Sequence, residues 1–174
     1  MDPATRDNQS TITDPAPSGR GQRLIRHIVS HHHAYLRRTL PSLEGQLERL
    51  GNEPAVLEAR RLLTELSDEL MLHMEKEERI LFPVVGELEQ ALETGGPGAL
   101  RGCGVEGPIS QMSHEHQNAL AALDHLQQLG SRLPATPGVD LGQSFGELAS
   151  DLREHIRLEE EELFPLARQL AATV

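Results

Sequence analysis

Two stretches of the chain place a histidine one helical turn before a pair of glutamates and then run into Leu-Phe-Pro. The first is His73-Met-Glu-Lys-Glu77-Glu78-Arg-Ile-Leu81-Phe82-Pro83. The second is His155-Ile-Arg-Leu-Glu159-Glu160-Glu-Glu-Leu163-Phe164-Pro165, and the two lie 82 residues apart. A further histidine stands upstream of each copy: His33 lies 40 positions before His73, and His116 lies 39 before His155. Two imidazoles and a carboxylate make a half-site, so two copies offer four His and two Glu. That donor set describes a dinuclear metal site inside a helical bundle.

Helical phase tests whether these side chains face a core. Around His73, the residues Leu62, Leu63, Leu66, Leu70, Ile80 and Leu81 form one apolar stripe; at about 100° per residue, His73 and Glu77 lie within about 20° of its centre. A carboxylate in the middle of an apolar face is costly unless a positive charge compensates it, and a cation would do so. Ile109, Met112, Leu120 and Leu123 carry His116 near the centre of the next stripe, while His114 and His125 project to the opposite, solvated side. Phe145, Leu148, Leu152, Ile156, Leu163 and Leu166 bring Glu159 close to the middle of the last face, with His155 about 50° off. The first helix leaves its ligand open. Against Ile25, Val29, Leu36 and Leu40, His32 and His33 each lie about 50° from the centre on opposite sides, and His31 lies further round, near Leu24 and Ile28. Only the spacing to the downstream motif favours His33.

One inward-facing histidine is commonly a hydrogen-bonded core residue, and one His–Glu pair at i, i+4 is commonly a surface contact. Duplicated at matched spacing, they read as metal ligands. Glu78, Glu160, Glu161 and Glu162 read as a solvated face, or at most as acceptors behind the ligands. Tyr35 reads as core packing and Cys103 as incidental.

The elements that position these residues follow from the breaks in the pattern. Residues 1–20, polar and rich in Pro, Ser and Thr, read as a disordered tail, leaving residues 21–174 as one domain. Helical periodicity covers about residues 23–50, 54–93, 108–130 and 140–171. Gly51-Asn52, a Gly-rich stretch over 94–107 and a Pro/Gly connection over 131–139 divide these segments. The expected fold is all-α: an up-down-up-down four-helix bundle with an internal pseudo-twofold duplication about the Gly-rich loop. Pro83 and Pro165 fall inside the second and fourth helices and should kink or end them.

Composition narrows the function. A net charge of −11 weighs against nucleic acid, whose phosphates need clustered Lys and Arg, and against an anionic membrane surface. A single cysteine cannot form an internal disulfide. No apolar run approaches the roughly 18 residues of a membrane span. The first residues are polar where a signal peptide would be apolar, so a cytoplasmic protein is expected.

Four imidazoles and two carboxylates suit six-coordinate iron or manganese better than a closed tetrahedral zinc site. With two carboxylates for two metals, each Glu is expected to bridge both ions. An oxo or hydroxo bridge then makes five ligands per metal and leaves one position open to O₂, NO or peroxide.

The segments LIRHIVSHHHAYLRRTLPSL, LSDELMLHMEKEERILFPVV, GPISQMSHEHQNA and DLREHIRLEEEELFP make the chain resemble the hemerythrin-like (HHE cation-binding) family over about residues 23–170. Within that family it is most similar to the di-iron proteins of iron–sulfur cluster repair, associated with nitrosative and oxidative stress. The resemblance implies two iron ions held by His33, His73, Glu77, His116, His155 and Glu159, and it selects His33 in the first helix. Two departures weaken an oxygen-transport role. Leu120 stands where oxygen carriers place a fifth histidine, and Glu159 lies four residues after the last histidine where they have an Asp at five. The repair proteins also carry an N-terminal domain with paired cysteines, which the tail here does not match. The expected role is therefore binding or reduction of NO, O₂ or peroxide, with donation of iron to iron–sulfur client proteins. A peroxide-decomposing, catalase-like enzyme and an O₂- or iron-binding sensor or storage module are the alternatives.

Overall fold

The computed structural model describes residues 19–94, 104–134, 137 and 140–173. Residues 1–18 of the expected tail, Cys103 and parts of both Gly-containing connections lie outside them. Every regular element among the described residues is helical, and together they make four long helices. These are α1 (residues 20–48), α2 (residues 54–94), α3 (Glu106–Gly130) and α4 (residues 141–173).

The helix ends have local and long-range causes. Pro54 opens α2 at a position where its missing N–H leaves nothing unsatisfied. Asp140 caps α4, its side chain accepting from the Gln143 amide at 2.9 Å. The first helix starts at Arg20, three residues earlier than periodicity indicates. The buried Glu89 carboxylate of α2 accepts from the amides of Gly21 (2.6 Å) and Gln22 (3.0 Å), satisfying open donors of the first turn and complementing the helix dipole. Gly21 permits this approach, since a Cβ there would press on Val85 and Glu89. At the other end of α1, the Arg60 guanidinium donates to the Leu47 carbonyl at 3.0 and 2.8 Å, to Leu50 at 2.7 Å and to Gly51 at 3.1 Å. Hydrogen bonds from a charged donor contribute about 1.5–3 kcal/mol. Arg60→Met, which keeps the stem but not the guanidinium, is therefore expected to lower stability by about 2 kcal/mol in urea unfolding.

Three of the helices widen for one turn into π-helix, over Ile28–His33 in α1, Glu77–Leu81 in α2 and Glu159–Leu163 in α4. The Phe82 amide donates to the Glu77 carbonyl and the Phe164 amide to the Glu159 carbonyl, each five residues back. Pro83 and Pro165 consequently end neither helix. A proline ring crowds the carbonyl four residues before it, and the wider turn ahead of each ring lets the helix continue. The extra residue per turn also rotates the face that follows. Ile80, expected on the α2 stripe, is exposed, and in α1 Ile28 is fully buried while Ile25 and Val29 are only half-buried.

The core consists of two apolar clusters. One contains Leu36, Leu63, Leu70, Leu123, Phe145 and Leu152; the other contains Ile28, Phe82, Ile109, Met112, Leu163 and Phe164. Along α1, α2 and α3 the candidate ligands His33, Glu77 and His116 fall between residues of the two clusters.

Candidate metal centre

The structure brings the six expected ligands together. His33, His73, His116 and His155 are buried, and Glu77 and Glu159 are completely so. They assort into two groups whose donor atoms all lie within 4.8 Å of one another: His33, Glu77, His155 and Glu159 in one, His73, Glu77, His116 and Glu159 in the other. Both carboxylates belong to both groups. Glu77 turns Oε2 toward His33 Nε2 (3.3 Å) and Oε1 toward His73 Nε2 (3.3 Å). Glu159 turns Oε1 toward His155 Nε2 (2.9 Å) and Oε2 toward His116 Nε2 (3.0 Å). Each half therefore has two imidazole nitrogens and one oxygen from each glutamate.

These donors fit a cation better than they fit one another. His33 Nε2 faces His155 Nε2 at 3.2 Å, and His73 Nε2 faces His116 Nε2 at 3.1 Å. Two nitrogens bound to one cation at about 2.1 Å lie about 3.0–3.4 Å apart, so both spacings suit a shared metal. Both oxygens of Glu77 and Oε2 of Glu159 are buried without a hydrogen-bond donor. A buried carboxylate with no donor is costly unless a positive charge stands in front of it.

Electrostatics supports the same picture. Burial opposes a charge on His73, yet the nearby Glu77 carboxylate, helped by Glu159 and Glu115, pulls its imidazole up to about 9. Burial also opposes a charge on His155, and Glu159 raises it. Burial would raise Glu159, but His155 and His116 hold it well below the usual carboxylate range. The site thus favours positive charge between its carboxylates, and a metal taken up there displaces a proton.

Outer partners aim the rings. Glu78 accepts from His33 Nδ1 at 2.7 Å, Glu115 from His73 Nδ1 at 2.9 Å and Glu160 from His116 Nδ1 at 2.8 Å. With Nδ1 carrying the proton, Nε2 presents its lone pair to the centre. Glu115 is itself held by Lys76 and Gln111; burial would raise its pKa, but these bonds bring it down to about 2. Phe82 stacks on His33 and Phe164 on His116, each with ring centroids 5.8 Å apart. The phenylalanine of each motif thereby closes the apolar side of the site.

Of the two readings open for Glu78 and Glu160, a solvated face or acceptors behind the ligands, the second holds: each accepts from a candidate ligand imidazole. Their signal was the repeat itself, since both copies keep the second glutamate. Glu161 is exposed, and Glu162 pairs with Arg20 and Arg157 at the surface. Glu115 was missed, having no counterpart of its type in the other copy. His114 and His125 are exposed, as their phase indicates. His32 is buried as well as His33; the π-turn brings both inward, so the first-helix phase alone could not separate them. Tyr35 is partly buried against the core. A cleft of about 230 Å³ between α2 and α3, with Leu70, Lys76, Glu115 and Ala119 on its walls, reaches His73 from outside.

The chain matches the hemerythrin HHE cation-binding domain over residues 24–167. It is similar to the iron–sulfur cluster repair protein YtfE of Dickeya chrysanthemi, 34% identical over 168 residues, which is 91% of this chain and 70% of that protein. The YtfE of Escherichia coli O157:H7 is 34% identical over 154 residues, 83% of this chain and 64% of that protein. The iron–sulfur cluster repair protein DnrN of Neisseria gonorrhoeae is 31% identical over 162 residues, 88% of this chain and 94% of that protein. The chain thus spans 64% to 70% of these YtfE proteins and nearly all of DnrN.

Proposed function

Because this chain belongs to the hemerythrin HHE cation-binding domain family, we propose that it is a non-haem di-iron protein of the iron–sulfur cluster repair type. In this reading His33 with His155 and His73 with His116 would each hold one iron, and Glu77 and Glu159 would each offer an oxygen to both. One observation carries it: each of the two buried glutamates turns one oxygen to each pair of imidazoles. Relatives named for cluster repair support the role, which extends to donation of iron to damaged iron–sulfur proteins. No described helix is long and apolar enough to cross a membrane.

The bundle in this proposal runs up-down-up-down with its second half repeating the first. In support, the start of α1 bonds to the end of α2 through Glu89, and the end of α1 bonds to the start of α2 through Arg60. The last turns of α4 meet the first turn of α3 through Arg168 and Glu106.

When bound, the two irons would supply open coordination positions and electrons for a small ligand such as NO, O₂ or peroxide. The protein's part is to hold and to exclude. Glu78, Glu115 and Glu160 keep three of the imidazoles aimed inward, and Phe82 and Phe164 keep water from the apolar side. The cleft beside His73 offers a small molecule a way in. Leu120, one turn after His116, is half-buried against the core and brings no further nitrogen to the centre. Both halves then stay accessible, which favours reaction over storage.

The test is to add NO and O₂ separately to the anaerobically reduced protein. NO is expected to bind to both irons, and O₂ to oxidise the protein irreversibly on the time scale of mixing. A visible band that forms with O₂ and vanishes on its removal, through repeated cycles, would replace this reading with oxygen carriage.

A further inference from the structure

Three of the four imidazoles are held from outside by a carboxylate, and the fourth is not. His155 Nδ1 is buried with no partner, and so is Oδ2 of Asp151, one turn before it. The other Asp151 oxygen accepts from His32 Nδ1 at 3.0 Å. The His32 ring lies parallel to that of His155, with 6° between planes and 5.6 Å between centroids, so it offers His155 a face and no hydrogen bond.

The repeat makes this difference residue for residue. His32 stands immediately before His33 as Glu115 stands immediately before His116. The position that gives His73 a carboxylate in one half gives His155 a stacked ring in the other. The support behind it changes too. Lys76 fixes Glu115 at 2.5 Å, and the residue in the same place of the second motif is Leu158. A carboxylate on the outer nitrogen orients a ligating ring, fixes its tautomer and raises the basicity of the inner nitrogen; its loss typically weakens metal binding about 10–100-fold.

We propose that the two metal positions are unequal: the one between His33 and His155 exchanges its metal, and the one between His73 and His116 retains it. The proposal rests on the di-iron reading and adds which half gives up iron. The exchanging half also borders further imidazoles. His32 meets His27 edge-on at 5.6 Å, and His27 and His31, both exposed, lie 4.4 Å apart. A departing ferrous ion would meet this row of donors on its way to solvent. On the other half, Glu115 stands in the wall of the cleft beside His73 and holds that ring in place.

The test follows iron leaving the fully loaded, reduced protein into excess ferrozine. Two phases of one iron each are expected. Glu78→Gln, which frees His33, should speed the fast phase about 10–100-fold and leave the slow one unchanged. Glu115→Gln, which frees His73, should speed the slow phase by a similar factor, toward a single fast release. Both changes keep the side-chain shape, and circular dichroism confirms the fold of each variant. The combined change His32→Glu with Asp151→Asn, which imitates the Glu115 arrangement, should slow the fast phase. Release of both irons at one rate in the unaltered protein overturns the proposal and leaves the di-iron reading intact. So does Glu115→Gln acting on the fast phase alone. A fully loaded chain holding fewer than two irons overturns both.

Discussion

Replacing Glu77 or Glu159 by alanine is expected to drop iron from about two atoms per chain to well below one. Each of these carboxylates has one oxygen in each half of the centre, so either change removes a ligand from both positions at once. It also leaves four buried imidazoles with half of the negative charge that favours a cation between them. Glu161→Ala is the matched control, since that side chain is 66% exposed and touches no ligand. Glu78→Ala should fall between the two, weakening affinity by about 10–100-fold through His33 alone. The check is metal analysis of each variant purified from iron-replete cells. A Glu77→Ala protein that keeps both irons would mean that the carboxylate does not bridge.

Phe164→Ala should give the largest loss of stability. The ring is fully buried, belongs to one of the two core clusters and stacks on His116 with 3° between planes. Truncating a buried phenylalanine costs about 3–5 kcal/mol, from lost transfer energy and from the cavity left behind. For a domain of this size each kcal/mol moves Tm by about 2–4 °C, so a fall of roughly 6–20 °C is expected by calorimetry. The iron-bound protein should lose less than the chelator-stripped one, because metal binding stabilises only the folded state. A fall of under about 2 °C in the stripped protein would show that the ring is not part of the core.

Much of the centre was legible in the sequence because it is written twice. His73, Glu77, His155 and Glu159 are recognisable from spacing alone, and a uniform helical phase was accurate enough to point His116 inward. The same assumption failed where the helix is not uniform. The π-turn over Ile28–His33 turns both His32 and His33 inward, and the one over Glu77–Leu81 puts Ile80 in solvent. Nothing local announces such a turn except the proline that follows it in α2 and α4, and α1 has none at that spacing. The long-range partners were also out of reach. Glu89 on the first turn of α1, Arg60 on its last carbonyls and Glu115 on His73 join residues 10 to 68 positions apart in sequence. Such contacts follow from how helices pack, and a one-dimensional pattern does not contain them. The duplication marks the site, and its breach at His32, where the other copy has Glu115, acquires meaning only from the packing of both halves.

Metal analysis together with Mössbauer spectroscopy, on protein expressed with ample iron, tests most directly whether two irons share this centre. Two irons per chain, magnetically coupled through shared bridges, are expected. One zinc per chain in tetrahedral coordination, or one isolated iron, would contradict this.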